Sequence, residues 1–250
     1  MSGHNKWSSI KHKKGAADAK RGKLFTRIAK EIILAARDGG GDPDTNPRLR
    51  TAMLSARSAN MPRDNIERAI KRGTGEIEGA TYEEIVYEGY GHNGVGIVVE
   101  VMTDNKNRTV SELRHAFSKY GGNLAESGSV AWNFDLKGYF SVPAEGLDED
   151  EFMMQALEAG AEDIELSDDQ FDIYTAVDEF HTVLGEFEKI GVPVENAGLT
   201  RVPKNTINAD NVAEKLFRLI EMLEDLDDVQ KVYANFEVSD EVMEALSQEQ

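Results

Sequence analysis

The sequence predicts a multidomain protein of the α and α+β classes: an N-terminal three-helix domain followed by two α/β domains, the second ferredoxin-like and inserted into the first. Three observations lead to this fold class. Apolar residues recur at helical spacing over the first 73 residues, the spacing then changes to that of strands, and a βαββαβ order appears near the middle of the chain. The predicted domains are residues 1–78, a basic helical domain with a flexible arm and a linker; 79–135 together with 204–240, an α/β domain; 136–203, the inserted ferredoxin-like domain; and 241–250, a tail.

The helices of the first domain follow from apolar stripes and from signals at their ends. A helix is predicted over residues 16–38, because apolar side chains share one face and three consecutive glycines follow it. Asn46 and Pro47 begin a second helix as its N-cap and first residue. Pro62 opens a third helix that runs through Arg72, so three short helices are expected to form a small bundle.

The first α/β domain begins where the pattern changes to strands. Residues 82–88 and 95–102 are predicted strands, and the second is almost entirely apolar, which is typical of a central strand buried on both faces. A helix is predicted over residues 108–120. Residues 130–134 are predicted as a further strand, because Trp132 and its second neighbours alternate with smaller or polar residues.

The inserted domain is predicted from six elements in βαββαβ order, which is the ferredoxin-like unit. Its elements are strand 138–142, a helix opened by Asp148 with Glu151 three residues later, strand 163–167, strand 170–176, helix 178–190 and strand 194–202. An amphipathic helix ending near Leu226 and a last strand over 231–238 then complete the earlier α/β domain.

Charge is distributed unevenly along the chain. The net charge of the whole chain is −18, but residues 1–73 hold 17 Lys and Arg against 7 Asp and Glu, and residues 74–250 hold 11 against 39. A polyanion responds to charges within about one Debye length, roughly 8 to 10 Å, rather than to the molecular total. The basic end therefore predicts a nucleic-acid partner; the alternative is a solvated basic helical surface without a ligand.

Several classes of site are excluded or disfavoured. The chain has no cysteine, which excludes disulfides, Cys-type zinc sites and a thiolate nucleophile. The five histidines lack metal-ligand spacing and the carboxylate clusters lack a calcium-loop pattern. Residues 89–94 match G-x-G-x-x-G but lie between two strands, which predicts a glycine-rich hairpin rather than a dinucleotide site. We expect no catalytic residue, no metal and no cofactor.

The N-terminal arm is the strongest functional feature of the sequence. Its cations suit phosphate groups, and Trp7 can stack on an unpaired base, which contributes about 1 to 3 kcal/mol. The alternative for Trp7 is packing against the bundle. The candidate nucleic-acid-binding residues of the arm and the first helix are Lys6, Trp7, Lys11, His12, Lys13, Lys14, Lys20, Arg21 and Lys23.

The short connection between the second and third helices permits a helix-turn-helix interpretation in which residues 62–72 form the recognition helix. A tight helical corner with arginines on its solvated face is the alternative. The candidate contacts to phosphates or base edges are Arg63, Arg68, Lys71 and Arg72.

A polar loop follows the apolar strand, and it is a candidate site for a phosphate group or a partner. Its residues are Asp104, Asn105, Lys106, Asn107 and Arg108. Ligand sites of open α/β sheets lie beyond the carboxyl ends of strands, and the N–H groups of a helix N-terminus suit anions. Capping of the helix by Asn107 or Thr109 is an alternative that is compatible with such a site.

Six runs of sequence carry a resemblance to a known family. They are Gly3-His-Asn-Lys-Trp7, Lys20-Arg-Gly-Lys-Leu-Phe25, Gly39-Gly-Gly-Asp-Pro43 with Asn46-Pro-Arg-Leu-Arg50, Glu88-Gly-Tyr-Gly91, Asp104-Asn-Lys-Asn-Arg-Thr109 and Gly121-Gly-Asn-Leu124. Over essentially its whole length the chain resembles the YebC/PmpR family. The resemblance implies a helical N-terminal domain followed by two α/β domains. It also implies a DNA-binding transcriptional regulator or, by analogy with mitochondrial translational activators and ribosome-linked bacterial members, a translation factor.

These observations predict a non-enzymatic nucleic-acid-binding regulator of gene expression, and physical arguments favour RNA over DNA. The alternative is an enzyme or small-ligand-binding protein that uses a cleft between the α/β domains. The expected partners are DNA or ribosomal RNA and the ribosome. No apolar run reaches the length of a membrane span and no secretory signal is recognised, so we expect a cytoplasmic protein without membrane contact. We also expect the protein to be a monomer.

Overall fold

The computed structural model describes residues 17–167 and 169–248. These residues fold into two compact units. The first contains the described residues up to Arg27, residues Gly79–Asp135 and the residues from Val202 onward; the second contains Ile28–Glu78 and Leu136–Arg201.

The three predicted helices of the N-terminal region are present. They are α1 (Ala17–Gly39), α2 (Pro47–Ser58) and α3 (Arg63–Gly73). The N-cap of α2 is Asn46, as predicted: its side chain accepts from the N–H of Leu49 at 3.0 Å. The same side chain donates to the carbonyl of Ala35 at 2.7 Å, and this bond ties the start of α2 to the end of α1.

The first unit is built on an antiparallel sheet. Its elements are β1 (Glu83–Tyr90), β2 (Gly96–Thr103), α4 (Lys106–Lys119), β3 (Asn123–Leu124), α7 (Ala213–Glu224) and β9 (Val229–Ala234), and the strand order is β3-β1-β2-β9. The apolar strand β2 is central and buried, as predicted. Residues 91–95 connect β1 to β2 as a hairpin, closed by a bond from Gly91 N–H to the Val95 carbonyl at 2.8 Å. The glycine-rich run therefore lies in a hairpin, not in a dinucleotide loop.

The chain adds a small ribbon and a last helix to this unit. The strands β8 (Ile207–Asn208) and β10 (Phe236–Glu237) pair in parallel. The predicted tail contains a helix, α8 (Asp240–Gln248). Val238 and Met243 join the apolar core formed by β2, α4, α7 and β9.

The predicted strand over residues 130–134 is wrong. Residues Ala131–Asn133 form a turn of 3-10 helix, and the strand β4 (Phe134–Pro143) begins after it. Val130 and Phe134 are buried, as the alternation suggested, but Trp132 between them is exposed. The pattern was misleading because the 3-10 turn buries Val130 and Phe134, which are four residues apart, and leaves Trp132 between them exposed, whereas a strand would place all three on one face.

The inserted part has the predicted ferredoxin-like order. Its elements are β4, α5 (Glu149–Ala159), β5 (Asp163–Ser167), β6 (Gln170–Thr175), α6 (Phe180–Ile190) and β7 (Asn196–Pro203). The strand order β5-β6-β4-β7 places the first and third strands at the centre. Asp148 caps α5 through the N–H of Glu151 at 3.0 Å, as its sequence signal predicted. Phe140, Phe171 and Phe187 lie in the core of this part.

One edge of the sheet in the first unit is only partly covered. The strand β3 pairs only with Gly89 and Tyr90 at the end of β1. The carbonyl of Glu88 accepts from the N–H of Ala125 at 2.8 Å, so residues 83–87 of β1 form the outer edge of that sheet within the part of the chain that the structure describes.

The fold class is confirmed: helices come first, and two α/β parts follow, the ferredoxin-like one inserted between the two stretches of the other. The division into residues 1–78, 79–135 with 204–240, and 136–203 stays a prediction.

Candidate nucleic-acid interface

The first turns of α1 carry three cations whose side chains are described. The guanidinium of Arg21 lies 5.4 Å from the ring centroid of Phe25. Lys23 Nζ donates to Asp225 Oδ1 at 2.9 Å and to the Asp225 carbonyl at 3.0 Å. Asp225 directly follows α7, so Lys23 lies where the negative end of the α7 dipole attracts a cation.

Arg27 strengthens this contact one helical turn further along α1. It is half-buried and donates to the carbonyl of Glu224, the last residue of α7. Burial lowers the pKa of Arg27, while the nearby carboxylates of Glu224, Asp225 and Asp227 raise it. With Lys23, Arg27 attaches the start of α1 to the carboxyl end of α7 within the first unit.

Most of the predicted arm lies outside the described residues. This applies to Lys6, Trp7, Lys11, His12, Lys13 and Lys14, and to the side chain of Lys20. Their role in binding nucleic acid stays a prediction.

The helix α3 presents the second predicted set of cations. Ile66 and Ala69 are buried and fix which face of the helix turns inward. Arg63 forms an ion pair with Glu67 at 2.8 Å on the outer surface. The other predicted contacts, Arg68, Lys71 and Arg72, are exposed.

The connection between α2 and α3 is as short as the helix-turn-helix interpretation requires. Asn60 has a φ of 55°, in the left-handed region, and the N–H of Met61 donates to the Ala56 carbonyl at 2.8 Å. Pro62 then begins α3, with its carbonyl accepting from the N–H of Asn65 at 2.9 Å. This geometry is shared by DNA-reading motifs and by ordinary helical corners.

The polar loop after β2 is held by internal bonds. Asn105 is the N-cap of α4, with its side chain accepting from the N–H of Arg108 at 3.1 Å. The proposed capping by Asn107 or Thr109 is therefore wrong, because the helix starts two residues earlier than predicted.

The cations of this loop have carboxylate partners. Arg108 Nη2 lies 2.8 Å from Asp104 Oδ1 and 2.7 Å from Asp228 Oδ2, and hydrogen bonds to the two carboxylates raise the pKa of Arg108. The Asp228 carboxylate is buried and also accepts from the hydroxyls of Thr103 and Thr109, at 3.0 and 2.8 Å. Lys106 Nζ lies 2.7 Å from Glu83 Oε2. A phosphate at this loop would have to compete with these carboxylates, and that role stays a prediction.

Sequence reasoning missed Trp132 as an exposed aromatic residue. Its side chain is 66 % exposed, on the 3-10 turn that precedes β4. The turn is held by Glu88, a buried carboxylate of β1. No local signal pairs Glu88 with a loop some 40 residues further on, although a lone carboxylate flanked by strand residues is a reason to look for such a partner.

Neither a metal-binding cluster nor a membrane-spanning helix is present among the described residues. Within residues 17–167 and 169–248, no group of three or more His, Cys, Asp or Glu side chains is arranged to hold a metal ion. None of the helices in those ranges is long and apolar enough to cross a membrane.

Comparison with known proteins identifies the family. Residues 5–76 match the model of the TACO1/YebC protein N-terminal domain, and residues 82–236 match that of the TACO1/YebC second and third domain. The chain is 56 % identical over 246 residues to a protein of Desulfosudis oleivorans named "Probable transcriptional regulatory protein", covering 98 % of this chain and 100 % of that protein. A protein of Dictyoglomus turgidum with the same name is 55 % identical over 249 residues, covering 99 % of this chain and 100 % of that protein.

A solved structure agrees with these matches. The crystal structure of a conserved hypothetical protein from Aquifex aeolicus superposes with a TM-score of 0.86 at 51 % identity, covering 92 % of this chain and 96 % of that one. Because the two family models together match residues 5–76 and 82–236, the chain belongs to the TACO1/YebC family.

Proposed function

We propose that this chain is a non-enzymatic regulator of gene expression that binds structured RNA through its basic N-terminal residues, 1–72. The observation that carries the proposal is the charge distribution, 17 cations against 7 anions over residues 1–73 and 11 against 39 thereafter. Phosphates are attracted to the first segment and repelled by the rest. The chain would therefore dock on a polyanion by one end.

The exposed cations of α3 support this proposal. Arg68, Lys71 and Arg72 extend into solvent from a helix whose opposite face is buried by Ile66 and Ala69. Arranged this way, they can contact neighbouring phosphates without rearrangement of the helix.

RNA is favoured over duplex DNA for a physical reason. An arm with lysines and one tryptophan suits irregular grooves and unstacked bases, whereas duplex readout uses a recognition helix and usually a symmetric dimer. Ribosomal RNA is an RNA of this kind, and the α/β parts would then contact a partner protein of the same assembly.

Sequence-specific DNA binding is the second candidate. Two observations favour it: the tight connection from α2 to α3, and the names of the relatives, which describe transcriptional regulatory proteins. If the chain binds DNA in a sequence-specific way, Arg68→Ala should relax the sequence preference that a DNA footprint measures. A parent protein that protects no preferred DNA site would count against it.

The main test removes the α3 cations. The triple variant R68A/K71A/R72A should bind a structured RNA at least about tenfold more weakly, and the slope of log affinity against log salt should fall by about 2. The matched control is R114A/K119A/K215A, which removes three exposed cations from the acidic part and should leave the slope unchanged. Equal affinity of the parent and the α3 variant would refute the role of α3.

A second test concerns the arm. Deleting residues 1–16 leaves the described residues in place and should abolish co-sedimentation with ribosomes or RNA. Crosslinking in cells followed by sequencing of the bound nucleic acid would then separate RNA from promoter DNA.

A further inference from the structure

Trp132 is more exposed than any other large hydrophobic side chain in the described part of the chain. An indole in water forgoes a large hydrophobic gain, since a tryptophan buries some 150 to 250 Å² when it is covered. A ligand that covers the Trp132 ring would recover this hydrophobic free energy.

The loop that carries Trp132 is unusually well fixed. Glu88 is only 4 % exposed, and its two carboxylate oxygens accept from the N–H groups of Gly128, Val130 and Ala131 at 2.6, 2.5 and 2.8 Å. Hydrogen bonds to a charged acceptor are stronger than neutral ones, and burial strengthens them further. A buried carboxylate thus sets the conformation of the turn on which the indole is displayed.

The polar atom of the indole is already used within this turn. Trp132 Nε1 donates to the Ser129 carbonyl at 2.9 Å, and the hydroxyl of Tyr90 donates to the same carbonyl at 2.9 Å. What Trp132 offers to a ligand is therefore the flat π surface of its ring. This surface suits a partner that stacks rather than one that is read by hydrogen bonds.

The surroundings of Trp132 favour a nucleobase over a protein as its ligand. Protein interfaces place an anchoring tryptophan within an apolar core that is ringed by other contacts. Here the flanking sequence is small or polar, with Ser127, Gly128, Ser129, Asn133 and Asp135. Close to Trp132 in the sequence, the other exposed large hydrophobic side chain is Leu136, which is 41 % exposed on β4. One exposed ring whose sequence neighbours are mostly small or polar fits a single unpaired base better than it fits a broad apolar protein interface.

We propose that Trp132 is a stacking platform for one unpaired nucleobase of the RNA, a second contact beyond the basic N-terminal residues. This inference rests on the proposed function, because it assumes an RNA ligand. The site adds no phosphate contact, so it contributes to affinity without contributing to the dependence on salt.

The chain contains two tryptophans, which makes a direct optical test possible. Trp7→Phe keeps an aromatic ring in the arm and leaves Trp132 as the only indole. Its fluorescence is followed during titration with an oligo-adenylate about 12 nucleotides long and with a matched abasic oligomer. We expect quenching by the first and not by the second.

Affinity measurements are the second part of the test. Trp132→Ala should weaken binding of the oligo-adenylate about tenfold with an unchanged salt slope, and Trp132→Phe should retain most of the affinity. Val86→Ala removes another exposed apolar side chain of the same unit and serves as the matched control. Circular dichroism of each variant establishes that the fold is intact, and if Trp132→Ala is unfolded the quenching experiment stands on its own.

The outcomes separate this inference from the proposed function. If the parent binds neither oligomer nor structured RNA, the proposed function fails and this inference fails with it. If RNA binds but Trp132 is not quenched and Trp132→Ala binds as tightly as the parent, only the stacking site is overturned. Loss of a protein partner in Trp132→Ala with undiminished RNA binding would assign the ring to a protein interface and would likewise overturn it.

Discussion

Glu88 is a buried carboxylate that holds the turn carrying Trp132. Its carboxylate satisfies three backbone N–H groups of a loop that otherwise lacks regular structure. Leaving buried N–H groups without acceptors costs the full desolvation of each group, which is more than the net gain of an ordinary hydrogen bond.

We therefore predict that Glu88→Ala lowers the free energy of unfolding of the first unit by about 3 kcal/mol. Chemical denaturation, monitored through the fluorescence of Trp132 in a Trp7→Phe background, measures this change in the free energy of unfolding, since Trp132 lies on the affected loop. Glu126→Ala, which removes an exposed carboxylate from the same loop, should change stability by no more than about 0.5 kcal/mol. Similar losses in both variants would contradict this account of Glu88.

Gly73 and Gly22 are both helical glycines, but replacement by alanine should change stability in opposite directions at the two positions. A Cβ on Gly73 would lie 2.4 Å from the Ile33 carbonyl, whereas a Cβ on Gly22 would meet nothing within 4 Å. Gly73→Ala should therefore force α1 and α3 apart and destabilise the second unit by about 2 kcal/mol. Gly22→Ala should stabilise α1 by up to about 1 kcal/mol, because alanine is the better helix former. Thermal unfolding of both variants measures the contrast; a stabilising Gly73→Ala would show that the two helices approach less closely.

At the scale of elements, the helices α2 and α6 of the second unit are connected electrostatically. Burial lowers the pKa of His181 near the start of α6, and the charge of Arg50 on α2 lowers it further. The unfolded chain has an ordinary His pKa of about 6.5, so as the pH falls through that value the unfolded state takes up the proton first. His181 thus reduces stability at acid pH and has no such effect above its unfolded pKa.

Arg50→Ala should raise the pKa of His181, measured by NMR titration of the imidazole. Arg57→Ala removes an exposed cation from the other end of α2 and should leave that pKa where it is. An unchanged titration in both variants would mean that α2 does not lie beside α6 in solution.

The contact between α1 and the carboxyl end of α7 provides a test of the proposed RNA binding. Lys23 is a predicted phosphate contact, yet it is paired with Asp225. Asp225→Asn removes the ion pair while leaving the bond to the Asp225 carbonyl, and should raise RNA affinity about two- to threefold, with a steeper dependence on salt. Asp178→Asn removes the same charge from an exposed position in the second unit. If both variants gain equally, the effect is general electrostatics and Lys23 is not a phosphate contact.

Elements with both an apolar period and end signals were predictable from the sequence. The predicted helix over 16–38 is observed at Ala17–Gly39, and the βαββαβ run leads to the strand order of the ferredoxin-like part. The start of α4 was missed because Asn105, not a later residue, caps it. Residues 130–134 were missed because a buried carboxylate on β1 decides their conformation, and no local pattern records a contact made so far along the chain.

The sequence predicted which cations the candidate interface contains, but not which carboxylates pair with them. The cations of α3 are exposed, as their positions on an amphipathic helix suggested. That Lys23 and Arg108 meet Asp225 and Asp228, respectively, depends on tertiary packing, since more than a hundred residues separate each pair. Charge counting along the sequence therefore locates the basic segment but overstates how many of its cations are available to phosphates.

For the whole molecule, the asymmetry of charge sets the expected response to salt. Only the basic segment gains from phosphates, so affinity should fall steeply with salt while the acidic remainder limits non-specific binding. Because the acidic part carries 39 Asp and Glu against 11 Lys and Arg, copies of the chain should also repel one another through it. We expect a monomer, and sedimentation equilibrium at low and moderate salt would measure this.

The partly covered edge of the first sheet has a consequence for aggregation. Residues 83–87 of β1 form an outer edge, and two carboxylates, Glu83 and Glu84, begin it. Charges at such an edge prevent the strands of neighbouring molecules from adding to the sheet. Replacing both with valine should turn β1 into a template for intermolecular strand pairing and produce oligomers, visible by light scattering. Glu83 and Glu84 would then have a role that is independent of nucleic acid, in keeping concentrated protein in solution.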